Sequence, residues 1–91
     1  MALTPKARQA LKAKAHQLKP IVMIGNKGLT DAVKKEIDIG LYDHELIKIR
    51  LSTNDREEKQ AMITELCNAA GAELVQLIGK ICVVYRRSDK A

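Results

Sequence analysis

The sequence predicts an α/β (α+β) domain: an N-terminal helix, then β-α-β-α-β-β, closing as a small mixed four-stranded sheet packed with helices. Three observations predict it. Two short apolar strands, Ile21–Ile24 and Leu46–Leu51, are each followed by a helix-start signal and an amphipathic run. Such alternation implies parallel pairing through right-handed crossovers. The last stretch, "AELVQLIGKICVVYRR", folds back at Gly79-Lys80 and so adds antiparallel pairing. A chain of 91 residues suits one domain with one modest core, and no repeat or linker interrupts it.

Each element carries its own signals. Thr4 reads as an N-cap and Pro5 as the first helical residue, where a missing N–H costs nothing. This helix is expected to run to about Leu18, ahead of Pro20. Ala7, Leu11, Ala15 and Leu18 share one face, while Arg8, Lys12 and Lys19 form a second stripe with His16 at its edge. Ile21–Ile24 is apolar at consecutive positions, the pattern of a central strand covered on both faces. Thr30 caps the second helix, Asp31 suits its positive first turn, and Val33, Ile37 and Leu41 line its inner face. Gly40, inside that helix, fits a close approach to the sheet.

In "HELIKIRLS", Ile47, Ile49 and Leu51 alternate with Leu46, Lys48 and Arg50, so one face is apolar and the other carries two cations. Asn54 with Glu57 three residues on reads as a capping box for the third helix, and Gly71 as its stop. Gly79-Lys80 fits a type II′ turn, which takes glycine first. The chain is expected to be ordered from about residue 3 to 87 and to fray from Ser88 to Ala91.

Composition narrows the function. Hydrophobic residues are 46% and charged residues 30%, and no apolar run is long enough to span a membrane. The basic N-terminus lacks the apolar core of a secretory signal. It is amphipathic and free of acids, as transit peptides are, but Pro5 and the continuous helical pattern favour a structural helix. Cys67 and Cys82 form no C-x-x-C pair and fall in apolar-patterned segments, so buried free thiols of a cytoplasmic protein are expected.

The net charge is +5, and its distribution says more than its size. Before Gly28 stand Lys6, Arg8, Lys12, Lys14, Lys19 and Lys27 with no acid at all; from Leu51 onward six basic residues meet six acids. The excess belongs to the first half, which points to an anionic partner.

Gly25-Asn26-Lys27-Gly28 joins the first strand to the second helix. Glycines at both ends permit positive φ and close backbone approach, the helix start offers free N–H groups, and Lys27 adds charge. The plain alternative is a tight turn that merely needs glycine. Lys34 and Lys35 either extend the patch or are simply solvated. A P-loop is excluded because G-x-x-x-x-G-K-[ST] is absent, and a dinucleotide fold because the third glycine and the ribose-binding acid are missing. A KH domain sets its G-x-x-G between two helices, whereas a strand precedes it here. Ser52 and Ser88 are not in nucleophile settings, and His16 and His44 lack metal-ligand spacing. His44 beside Glu45 is a weak basis for acid–base chemistry. No enzyme, cofactor, metal or small-molecule substrate is therefore expected.

Three stretches, "GNKGLTDAV", "LYDHELIKIRL" and "GAELVQLIGKICVVYRR", resemble the YhbY-like family, the bacterial single-domain form of the CRM (chloroplast RNA splicing and ribosome maturation) domain. The likeness runs from about Leu3 to Arg87; Val84 before Tyr85 is a conservative departure from the expected leucine-tyrosine-arginine. Gly25, Asn26, Lys27 and Gly28 correspond to the family's glycine loop, and Lys48 and Arg50 to its basic strand. The resemblance implies a fold like the C-terminal domain of translation initiation factor three. It also implies RNA binding and association with precursors of the large ribosomal subunit.

Aromatic residues are 2% of the chain, so bases have no aromatic platform to stack on; lysines, arginines and backbone N–H groups suit phosphates and shape. The expectation is a cytoplasmic, monomeric, non-catalytic RNA-binding protein of ribosome assembly. Its RNA-contacting residues are Gly25, Asn26, Lys27, Gly28, Arg8, Lys12, Lys19, Lys34, Lys48 and Arg50. The alternative is a protein–protein adaptor on the ribosome, with the basic surface serving solubility.

Overall fold

A computed structural model describes residues 3–88. Its elements are α1 (Pro5–Ala15), β1 (Pro20–Ile24), α2 (Asp31–His44), β2 (Leu46–Leu51), α3 (Arg56–Ala70), β3 (Glu73–Ile78) and β4 (Ile81–Tyr85). The α+β architecture and the mixed four-stranded sheet are those the sequence predicts. Strand order is β1-β2-β4-β3, with β1 parallel to β2 and β4 antiparallel to both its neighbours. The α3 crossover thus skips one strand position, and the terminal hairpin fills it.

The sheet has two unequal faces. On one, α2 and α3 bury Ile24, Ile47, Ile49, Leu51, Cys82 and Val84 together with their own Ile37, Leu41, Ile63 and Leu66. Gly40 is what lets α2 come close: a Cβ there would stand 3.1 Å from Ile21 Cδ1 and 3.5 Å from Ile47 Cδ1. On the other face α1 acts alone. Ala15 packs with Leu46, Val75 and Val83, and Leu11 and Tyr85 flank them. Two polar ties fix α1 over the β3 side: Leu3 N–H donates to the Glu73 carboxylate at 2.8 Å, and the Arg8 guanidinium donates to the Leu74 carbonyl. A carbonyl on an edge strand has no ladder partner on its outer side, so this bond satisfies it.

Several expectations are corrected. β1 is an edge strand, not a central one; Ile21 is 51% and Met23 62% exposed. For Met23 the reason is coverage, since α1 lies toward β3 and leaves the β1 side of its face open; Ile21, at a register shift of β1, reaches Gly40 of α2 and is exposed along the free sheet edge. α1 stops at Ala15, three residues before Leu18; beyond it the His16 and Leu18 N–H groups bond three residues back, to the Ala13 and Ala15 carbonyls, in a tightened turn ahead of Pro20. The cap of α3 is Asp55, whose carboxylate accepts from Glu58 N–H at 3.0 Å. Thr53 shifts the start by one residue: its hydroxyl accepts from Asp55 N–H at 3.0 Å and donates to Glu58 at 2.6 Å.

Other local signals hold. Thr4 and Thr30 cap α1 and α2, Gly71 ends α3 in the left-handed conformation, and Gly79 opens the hairpin turn at φ 56°.

The C-terminal segment is tied down further than the sequence suggests. Arg86 donates to the Asp38 carboxylate at 2.7 Å and to the Ala70 carbonyl at 3.0 Å, joining the middle of α2 to the end of α3. Ser88, expected to fray, donates its N–H to Glu45 and its hydroxyl to the Tyr42 carbonyl, both at 2.7 Å. The remaining residues of the expected frayed tail, 89–91, lie outside the described residues.

Both cysteines are free; Cys82 is fully buried and Cys67 half-buried. Burial, and secondarily Cys67 nearby, push the Cys82 thiol up to about 12, and burial followed by Glu73 raises Cys67. Thiolate chemistry is thereby suppressed. In folded protein at pH 8, a chromogenic disulfide should leave Cys82 unreacted until denaturant is added, with Cys67 reacting slowly. Two fast thiols would contradict the packing. Because the folded value exceeds the ordinary 9.0, the Cys82 contribution to stability is whole below that pH and declines as pH rises toward 12. A Cys82→Val variant should show a shallower alkaline loss of stability than wild type.

Gly40 offers a graded test. Gly40→Ala gains about 1 kcal/mol of helix propensity while only nudging the end of the Ile21 side chain, so thermal unfolding should move little. Gly40→Val overfills the same contact and should lose about 1–3 kcal/mol. Equal effects of the two changes would mean that α2 does not depend on this close approach.

Candidate nucleic-acid interface

The turn at Gly25–Gly28 forms because an edge strand must reverse into α2 within a few residues. Gly28 N–H donates to the Gly25 carbonyl at 3.0 Å, and Gly28 then takes φ 72°, which disfavours any residue with a Cβ. Thr30 N–H bonds the Gly28 carbonyl at 3.0 Å, and the Thr30 hydroxyl accepts from Val33 N–H at 3.2 Å. Gly25, Asn26 and Lys27 are exposed. The sequence permits positive φ at both glycines, and Gly28 adopts it. Gly25 contributes differently: a Cβ there would meet nothing within 4 Å, so its backbone faces open space. The result is a solvent-facing turn with a lysine at its tip, directly ahead of the positive end of a fourteen-residue helix.

The second group of cations lies on the α1 side of the sheet. Alternation along β2 turns Lys48 and Arg50 to that face, opposite Ile47, Ile49 and Leu51. Register places Lys48 beside Val83 of β4, and Arg50 between Met23 of β1 and Ile81 of β4. Ile81 in turn pairs with Ile78, which is 62% exposed. A row Met23–Arg50–Ile81–Ile78 therefore crosses the whole sheet at the end where β1 enters the glycine turn. Lys12 of α1 and Lys48 line one concavity on this face, and Lys19 and Lys48 line another.

The expected site residues thus separate into groups. Lys12, Lys19, Lys48 and Arg50 share the open sheet face. Gly25, Asn26, Lys27 and Gly28 stand at the end of β1 beside it. Arg8 is half-buried, with its guanidinium bonded to the Leu74 carbonyl, so it anchors α1. Lys34 lines a small hollow with Leu66 and Ala69 of α3, on the two-helix side of the molecule. Reading by charge alone misses Lys14, His44 and Leu18, which join Lys19 and Lys48 around a cavity of about 330 Å³. Lys14 was legible as part of the acid-free segment. His44 was not, because its position depends on how α2 ends. Glu45 takes φ 63°, and its N–H bonds the Leu41 carbonyl at 2.9 Å, so the chain passes from α2 into β2 without a loop.

Among the described residues, no group of three or more His, Cys, Asp or Glu is placed to hold a metal ion, and no helix is long and apolar enough to cross a membrane.

Known proteins resemble this chain along nearly its full length. The CRS1 / YhbY (CRM) domain matches residues 3–86. A protein of Pseudomonas aeruginosa named a probable RNA-binding protein is 41% identical over 90 residues, covering 99% of this chain and 86% of its own. An RNA-binding protein of Haemophilus influenzae is 46% identical over 89 residues, covering 98% and 90%. The solution structure of a hypothetical Staphylococcus aureus protein, described as a candidate RNA-binding protein, superposes with a TM-score of 0.85 at 37% identity, covering 98% of this chain and 93% of that one. With the domain matched over residues 3–86 and the fold shared with a structure 37% identical to it, the chain belongs to the CRS1 / YhbY (CRM) domain family.

Proposed function

We propose that this protein binds structured RNA through the Gly25–Gly28 turn and the basic sheet face, and that it acts in assembly of the large ribosomal subunit. The observation that carries the RNA contact is the turn itself: two glycines open to solvent, a lysine tip, and the start of α2 behind them. Phosphate oxygens accept hydrogen bonds from backbone N–H groups and attract a nearby ammonium, so each feature of the turn suits an RNA backbone. Lys12, Lys19, Lys48 and Arg50 extend the positive surface along the sheet. Relatives named as RNA-binding proteins support the ligand class. The place of action, precursors of the large subunit in the cytoplasm, rests on the family resemblance. The protein's contribution is binding and positioning, with no catalytic step.

One observation favours an adaptor role as a second reading. Ile39 and Tyr42, one turn apart on α2, are each about half exposed on the side away from the basic face. Salt separates the two readings. Binding through phosphates weakens steeply with salt, by roughly 0.7–0.9 in log K per log unit of salt for each contact. An apolar protein contact does not.

Lys27→Glu is the direct test. Lys27 is exposed and no bond holds it, so stability should change by less than about 0.5 kcal/mol. Affinity for ribosomal RNA fragments at moderate salt should fall, and the salt slope should drop by about one contact. A folded variant that binds as wild type would reduce the turn to a connection between β1 and α2.

A further inference from the structure

We infer that the open sheet face beside Lys48 receives unpaired nucleotides, with an unstacked base seated in the cavity between the end of α1 and the starts of β1 and β2. This rests on the RNA-binding reading and adds that the protein takes hold of bases as well as phosphates.

The cavity measures about 330 Å³, within the range of small-ligand pockets, and is open to solvent on one side. It lies beside a bulge in β1: register with β2 shifts between Pro20 and Val22, and the extra residue, Ile21, is one of its liners. Bulges at sheet edges often re-aim a side chain next to a functional site. Here apolar Leu18, Ile21, Leu46 and Ile47 line the cavity together with Lys14, Lys19 and Lys48, and His44 at the end of α2 joins them. An aliphatic floor beneath several cations matches the two ends of a nucleotide: a flat, weakly polar base and an anionic phosphate.

A second concavity of the same character lies on the other side of Lys48. Its floor is Ile78, Ile81 and Val83, and its rim carries Lys12 and His16. Among the described residues, neither concavity is lined by an acid. Two such hollows sharing one lysine suit consecutive nucleotides of a single strand, the lysine holding the phosphate between them. A double-stranded segment keeps its bases stacked inside and offers nothing to either floor. The aliphatic floors also meet the objection that the chain has too few aromatics to hold bases. Apolar burial is non-directional and needs no π-face.

The test uses the full-length protein with isotope-labelled methyl groups and two single-stranded RNA hexamers of equal charge, one uridylate and one abasic. Methyl signals of Leu18, Ile21 and Leu46 should shift with the uridylate hexamer and hardly with the abasic one, while the Lys27 amide shifts with both. Leu18→Ser removes one wall at an exposed position and should weaken the uridylate hexamer by about fivefold, leaving the abasic hexamer unchanged. If the Lys27 amide shifts but the cavity methyls stay still and both hexamers bind alike, the base site is refuted while phosphate binding stands. If neither region responds to any RNA, ribosomal fragments included, both readings fall. Equal methyl shifts with an oligoglutamate peptide would make the cavity a site for acidic partners in general, which also overturns the proposal.

Discussion

The structure turns on a mismatch of size: one short helix must serve an entire face of a four-stranded sheet. Eleven helical residues span about 16 Å and cover a strip about 10 Å wide. Four strands spaced by about 4.8 Å present a wider surface than that. α2 and α3 together close the opposite face and build the main core. α1 closes only the part over Leu46, Val75 and Val83. Its ties to β3, through Glu73 and the Leu74 carbonyl, decide which part is left bare. The bare part is the β1 side and the end nearest the glycine turn, where Met23 and Ile78 stand exposed at opposite edges.

That asymmetry gives the charge distribution its meaning. A sheet face that no helix covers and that meets water must carry polar groups or a partner. This one carries Lys48 and Arg50 from β2 and receives Lys12, Lys14 and Lys19 from α1 and the segment after it. Among the described acids, Glu57 and Glu58 stabilise the start of α3, Asp38 pairs with Arg86, and Glu45 and Glu73 accept backbone N–H groups. These acids are engaged within the scaffold, whereas no acid among the described residues lines either concavity of the open face, where positive charge is left unbalanced. The field that steers an anionic polymer toward the protein follows from this division.

Much of this was legible in the sequence, and the misses share one cause. Caps, turns and strand alternation are local, so Thr4, Thr30, Gly71, Gly79 and the two-faced β2 could be read from neighbours a few residues away. The glycine turn was legible for the same reason. Coverage is not local. Ile21–Ile24 reads as doubly buried, because four consecutive apolar residues look alike whether a helix lies above them or not. Only the tertiary position of α1 shows that Met23 faces outward, and only the sheet order shows that Ile21 stands at a free edge. Arg8 and Lys12 belong to one helical stripe in the sequence, yet Arg8 turns to a carbonyl of β3 while Lys12 borders the open face. His44 enters the cavity through a left-handed residue at the end of α2, for which glutamate gives no sequence signal.

On the proposed reading, the half-covered sheet face and the glycine turn form one RNA surface. Ultraviolet crosslinking in cells, followed by mass spectrometry of protein–RNA adducts, tests it most directly. Adducts should concentrate on residues 12–28 and 46–50, with the attached RNA derived from the large ribosomal subunit. Adducts confined to the outer faces of α2 and α3, near Ile39, Tyr42 or Glu65, would contradict it.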